Sequence, residues 1–257
     1  MRVPDVNKGI DYCLNNANRL LNDADLLFRN RGYRSSLPLC VFAYEEIGKA
    51  QFLQSCLLDK GQVDEREFAA FTNGRGAHMK KLTVDYDDIM GTLETMSEEQ
   101  FESVKKWAKA NGKQSWNCDR KTAIEIVKTD TATIDRLHDL KMAFLYTDYG
   151  LGEWISTINY PNSILAAIDQ YIYWEVTRAY YKVKLNVYLF SIGVNKRHQP
   201  MTPNQQLAML TNEDCVTLNA IFENMSTDRF RRAKRVAVRE IPEITKKVEA
   251  VAIARRL

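Results

Sequence analysis

Two carboxylates and one ammonium fall inside six residues, the EEIGKA segment at 45–50, which supplies Glu45, Glu46 and Lys49. On a helix the i,i+3 and i,i+4 spacings bring Lys49 to both glutamates. The residues just before them, CVFAY, are apolar or aromatic, and Ile47 and Gly48 interrupt the charges. Charged groups in such surroundings are costly unless paired or hydrogen-bonded. Two readings follow: an ordinary ion pair on a solvated face, or a partly buried charged centre able to hold a ligand or move a proton. The scarcity of polar face around the segment favours the second. Gly48 costs about 1 kcal/mol of helix propensity relative to alanine, so its presence implies that another helix or a ligand approaches closely there.

A second constellation lies in GRGAHMKKL at 74–82. A helix starting near Ala77 places His78 in its first turn, with Arg75, Lys80 and Lys81 around it. An imidazole, a helix N-terminus and basic side chains can converge on one anion. The alternative is that His78 only caps or packs against the helix start. We expect Glu45, Glu46 and Lys49 to lie close to His78 as the candidate catalytic set, with Arg75, Lys80 and Lys81 as anion-binding residues. A third feature is charge asymmetry. Residues 227–257 hold ten basic and four acidic residues, a net +6, against +3 for the whole chain. Arg231, Arg235 and Arg239 recur at i,i+4 and form one positive helical stripe suited to RNA or another polyanion.

Other chemistries are disfavoured. The five cysteines (Cys13, Cys40, Cys56, Cys118 and Cys215) are odd in number and never paired as CxxC, so neither a disulfide framework nor a zinc site is indicated. Asp135 and His138 give one carboxylate-x-x-histidine pair, whereas a helical di-iron centre needs two such motifs and two more glutamates. The expectation is no metal and no cofactor. The N-terminus lacks the parts of a signal peptide, and no run of about 18 apolar residues occurs, so a cytoplasmic protein with no membrane partner is expected.

The positioning elements are helical throughout. Ile10, Cys13, Ala17, Leu20, Ala24 and Leu27 form the stripe of a first helix ending near Asn30–Gly32. Ser35 or Ser36, with Pro38 in the first turn, begins a second helix that Gly61 closes; it is apolar enough to be central. Asp64 caps a short third helix. Ala77 opens a fourth, and Ser97-Glu-Glu-Gln100 opens a fifth as a capping box. Residues 120–147 read as helical, and YGLGEWISTINYPNS as a long connection with no convincing strand. From Leu165 to Phe190 the steps of three and four mark the longest helix. Pro200 and Pro203 introduce shorter C-terminal helices, expected near 204–210, 213–224, 228–239 and 243–255. The expected architecture is all-α, an up-and-down bundle over 1–200 with a basic C-terminal extension over 201–257 packed on the same domain.

The segment ANRLLNDADLLFRNRGYRSSLPLCVFAYEEIGKAQFL at 17–53 resembles the first helical hairpin of AbiV proteins in the HEPN superfamily, whose second helix carries an EE-hydrophobic-GK signature. HMKKL at 78–82 and FLYTDYGLGEW with Pro161 are similar to later parts of that group. The resemblance implies a HEPN-like bundle and an abortive-infection antiphage protein that arrests growth of infected cells by acting on translation or RNA. It implies a homodimer, with a phage protein as trigger. Many HEPN proteins are metal-independent ribonucleases with an Arg-x4–6-His motif. No arginine stands at that spacing before His78, His138 or His198, so a ribonuclease would need a reorganised site built from Glu45, Glu46, Lys49 and His78. The alternative from a different class is a non-catalytic helical interaction module whose charged cluster is structural.

Overall fold

The first helix forms because its apolar residues return every three or four positions, and it buries that face against the helix that follows. In the computed structural model, which describes residues 1, 3–74, 76–110, 118–145, 148–150, 153–155, 160–191 and 212–254, α1 spans Val3–Arg29 and α2 spans Tyr33–Lys60. The turn between them is tight: the Gly32 amide donates to Leu27 O at 2.8 Å, and Arg31 takes a positive φ of 62°. Helix α2 starts earlier than the Ser35 or Ser36 cap expected from sequence. The Ser36 hydroxyl is spent elsewhere, donating to Ala24 O on α1 at 2.8 Å from a buried position. Gly61 ends α2 as expected, with φ +67° and its amide on Leu57 O.

Helix α3, Glu65–Asn73, is capped by Asp64, which accepts from the amides of Arg66 and Glu67. Helix α4, Ala77–Thr95, follows Gly76 at φ +75°. Helix α5, Glu98–Ala110, opens with the expected capping box: the Ser97 amide donates to Gln100 Oε1, and the Gln100 amide to Ser97 Oγ. The helical stretch expected over 120–147 divides into α6 Arg120–Ile134 and α7 Leu137–Leu145. The break at Asp135 and Arg136 lets the two halves serve different partners, α6 packing on α4 and α7 on α2. In the connection that follows, Asp148–Gly150 (β1) and Glu153–Ile155 (β2) pair as a small antiparallel hairpin that alternation in the sequence did not reveal.

Helix α8, Asn162–Ser191, buries Leu165, Ile168, Ile172, Val176, Ala179 and Val183, the stripe read from sequence. Of the aromatic residues beside that stripe, Tyr171 is fully buried, and Tyr173, Trp174 and Tyr180 pack partly buried against the core. Helix α9 is Asn212–Ser226 and α10 is Asp228–Ala254. The two helices expected near 228–239 and 243–255 are therefore one. An internal proline costs about 3 kcal/mol, but Phe230, Ala233, Ala237, Ile241 and Ile244 make one continuous buried face against the bundle, and breaking the helix at Pro242 would divide it. The helix expected at 204–210 lies outside the described residues. Among those described, no helix is long and apolar enough to cross a membrane.

Helix α2 is the hub. It packs against α1, α8, α4 and α7, which explains why so little of its surface is polar. Between α1, α2 and α8 lies Asp169, fully buried, with Oδ1 3.9 Å from Cys40 Sγ and no hydrogen-bond partner at Oδ2. Burial pushes its carboxyl up to about 8, although the Cys40 thiol beside it pulls the other way. A second polar layer lies deeper along α8: Arg178 donates to the buried Glu175 at 2.7 Å, and the Tyr86 hydroxyl to the same carboxylate at 3.5 Å.

The raised pKa of Asp169 has a definite sign in folding. An unfolded aspartate ionises near 3.8, so between that pH and about 8 the folded chain holds a proton that the unfolded chain has lost. Stability from this group is full below about pH 4 and declines as pH rises to about 8, by up to about 1.4 kcal/mol per pH unit. Asp169→Asn removes the titration. Urea unfolding at several pH values should show the gap between variant and parent shifting steadily in the variant's favour from about pH 5 to 8 and levelling above; parallel curves would refute the neutral-acid assignment.

Candidate functional site

Glu45 stands near the middle of α2 with 7% of its side chain exposed. Three side chains from two other helices compensate its charge. Lys141 of α7 donates to Oε1 at 2.8 Å, and Lys81 of α4 places Nζ 3.3 Å from Oε2. Nδ1 of His78, in the first turn of α4, is 2.7 Å from Oε2. Both lysines are themselves buried, with 3% and 7% side-chain exposure. Lys141 also lies over the Phe42 ring at 4.7 Å, which packs its stem and ammonium against α2. Burial by itself would raise the Glu45 pKa, but the hydrogen bonds from Lys141 and His78 and the lysine charges outweigh it, leaving the carboxyl below its ordinary value. The centre therefore contains a carboxylate, two ammonium groups and an imidazole.

Because an ionised carboxylate only accepts, His78 Nδ1 must carry hydrogen, and Nε2 is left for chemistry. The His78 side chain is half exposed, at 51%. Its ring stacks on that of His138 from α7, with centroids 4.9 Å apart and planes at 21°. Burial, then the charge of Lys141, then that of His78 hold His138 below the usual histidine range, with Asp139 and Glu45 opposing.

Gly48 makes this arrangement sterically allowed. A Cβ there would lie 1.9 Å from Lys81 O and 2.7 Å from its carbonyl carbon, so α2 and α4 touch backbone to backbone one turn from Glu45. The close approach expected from the sequence is thus to the helix that carries His78 and Lys81.

The expected cluster is divided. Glu45 and His78 come together, and Lys81 joins them. Glu46 and Lys49 pair with each other at 2.6 Å, partly buried, on the side of α2 that faces α1 and Cys13. Lys80 is exposed, and Arg75 lies outside the described residues. The side chains that complete the centre, Lys141 and His138, were missed. The signal was available: Lys141 falls four residues after Leu137 and three before Phe144, a charge inside a buried stripe, as Glu45 is. On α10, Arg231 and Arg235 line an open groove of about 890 Å³ against α6, together with Thr129 and Val238. Arg231 lies 3.8 Å from Asp228, and Arg239 pairs with Glu240 at 2.6 Å.

Glu45, His78 and His138 each offer a ligand atom, and these lie within 4.8 Å of one another. Two ammonium groups already occupy the carboxylate, however, and each opposes an added unit of positive charge by about 4 kcal/mol at about 4 Å and an effective dielectric near 20. The donor set suits an anion at its edge better than a metal cation.

An all-α bundle whose second helix carries an EE-hydrophobic-GK segment, clamped through its first glutamate to two further helices, belongs to a definable class. The HEPN family model described as AbiV matches residues 5–167. The chain belongs to the AbiV family, which implies abortive-infection-type defence. No curated protein and no solved structure matches it.

Two substitutions measure the clamp. Lys141→Ala leaves Glu45 buried beside an empty position and should cost about 3–5 kcal/mol, whereas Lys49→Ala removes a partly solvated pair and should cost about 0–1 kcal/mol. Gly48→Ala should destabilise by about 1–3 kcal/mol or more, despite better helix propensity, because backbone cannot yield to the added methyl. Chemical denaturation of the three variants checks the order; a Gly48→Ala protein as stable as its parent would contradict the backbone contact.

Proposed function

We propose that this protein arrests the growth of phage-infected cells by acting on RNA or the translation machinery, with the Glu45 centre as its working site. The observation that carries this reading is a half-exposed imidazole fixed at Nδ1 by a buried carboxylate, with two buried ammonium groups behind it. Such a site offers an incoming phosphate both a proton-transfer group and positive potential. Arg231, Arg235 and Arg239 are placed at one-turn intervals on α10, and the side chains of Arg231 and Arg239 are 64% and 73% exposed, as a sequence-tolerant contact to RNA phosphates requires. We place the protein in the cytosol as a homodimer, released by a phage protein that acts as trigger.

A second reading has an observation of its own. The burial of Lys81 and Lys141 around Glu45 joins α2, α4 and α7 whether or not any chemistry occurs, as it would in a purely structural interaction module.

His78→Ala separates the two. His78 is half exposed and contributes little packing, so the variant should melt within a few degrees of the parent. In a phage challenge it should lose protection, and RNA from induced cells should stay intact where the parent's is degraded or translation stops. Full protection by His78→Ala would sink the working-site reading. Charge reversal of Arg231, Arg235 and Arg239 together should weaken RNA binding at least tenfold at low salt and flatten its salt dependence; unchanged binding removes the stripe from the interface. Light scattering should give twice the 29.7 kDa chain mass, and a monomer across a wide concentration range would exclude the dimer.

A further inference from the structure

We propose that two copies of this chain pair through their C-terminal helices, the acidic outer face of α9 in each copy seated in the groove that α6 and α10 form on the other. This rests on the homodimer reading above and names its interface.

Helix α9, Asn212–Ser226, carries Glu213, Asp214 and Glu223 and no basic residue. Its inner face is spent within the chain: Leu218 and Ile221 are buried, and Lys184 of α8 donates to Asp214. Its outer face is not. Residues 213, 216, 220 and 223 follow steps of three and four, and all are exposed. In that row Val216 is 69% exposed, the most exposed large apolar side chain among the described residues. One chain surface thus offers an apolar anchor with carboxylates on either side of it along the helix.

The groove has the complementary properties. Ile126 on α6 and Val238 on α10 give it apolar walls, which the Lys234–Asp130 pair joins at 2.9 Å. The acids that line it already have bases beside them: Lys234 serves Asp130, Lys128 is 3.2 Å from Glu125, and Arg231 is 3.8 Å from Asp228. Arg235 lines the groove with no ion pair among the described residues, and Glu213 on α9 has none either. The uncommitted charge is therefore positive in the groove and negative on α9, which sets Glu213 of one copy against Arg235 of the other. The lengths agree as well: from 228 to 238 along the groove and from 213 to 223 along α9 the rise is about 15 Å, at 1.5 Å per residue. A nucleic acid could engage Arg235 through its phosphates but would leave Ile126 and Val238 wet, whereas Val216 covers them, as in other helix-in-groove contacts. Because each copy supplies both a helix and a groove, a twofold axis makes the contact twice and closes the assembly at two chains. Arg239 does not line the groove and stays available to RNA phosphates.

Analytical ultracentrifugation of the full chain over a concentration range tests this, with circular dichroism on the same samples to confirm folding. Val216→Arg, Arg235→Glu and Glu213→Arg each bring like charges together in the contact, and each should raise the dimer dissociation constant at least about tenfold. All three side chains are exposed in the single chain, so the helical content should stay that of the parent. An equimolar mixture of Arg235→Glu and Glu213→Arg should recover the parent's dimer, because both contacts of the mixed pair then join opposite charges. A parent dimer that all three variants preserve overturns this interface and leaves the homodimer reading intact. If Arg235→Glu keeps the dimer and loses RNA binding, the groove belongs to nucleic acid and the interface is likewise overturned. A mixture that stays dissociated overturns the Glu213–Arg235 contact, and a parent that is monomeric throughout overturns both readings. If Val216→Arg fails to fold, the mixture decides alone.

Discussion

The centre of this molecule depends on one buried charge being made tolerable. Glu45 is carried into the interior by a helix that the bundle surrounds, and a carboxylate there is stable only if cations come with it. Two lysines and a histidine arrive from α4 and α7, so the solvation problem of one side chain dictates where two further helices must dock. The contact between Gly48 and the Lys81 carbonyl sets how near α4 can come, and the turn at Asp135 and Arg136 lets α7 reach α2 while α6 stays on α4. Remove the charge and there is no evident reason for either adjustment. The same clamp leaves one imidazole at the surface in a fixed tautomer, which is how a structural necessity becomes a place for chemistry.

Much of this was legible in the sequence where a local rule decided the outcome. Gly61, Asp64 and Ser97 with Gln100 acted as helix punctuation because their interactions lie within a few residues. The stripe of α8 was legible because a long amphipathic helix has only one way to bury it. Where sequence reading failed, a distant partner was involved. Ser35 or Ser36 was expected to cap the second helix, and Ser36 instead bonds a carbonyl on α1. Separate helices were expected over 228–239 and 243–255, but the bundle supplied a continuous surface for the residues on either side of Pro242. Glu45 and Lys49 share a helix and an attractive spacing, yet Glu45 is claimed by lysines 36 and 96 positions further on. Intrahelical spacing identifies the pairs that are available, and tertiary packing chooses among them.

The AbiV match ends at residue 167, near the start of α8, while the buried surface does not. Phe230, Ala233, Ala237, Ile241 and Ile244 of α10 belong to the same apolar core as α1 and α2. Lys234 bonds Asp130 of α6 at 2.9 Å, tying the basic helix to the face of the bundle next to the α4 and α8 polar layer. The basic helix is thus packed on the same core that carries the Glu45 centre.

The neutral carboxyl of Asp169 has a consequence for how this protein exchanges matter with its solvent. Since the folded chain holds that proton near neutrality and the unfolded chain does not, each folding event withdraws about one hydrogen ion from the buffer, and each unfolding event returns it. The heat recorded in a calorimeter would then include the buffer's own heat of ionisation. Two buffers at the same pH, one with a small ionisation enthalpy and one with a large one, would report different unfolding enthalpies for the same structural transition.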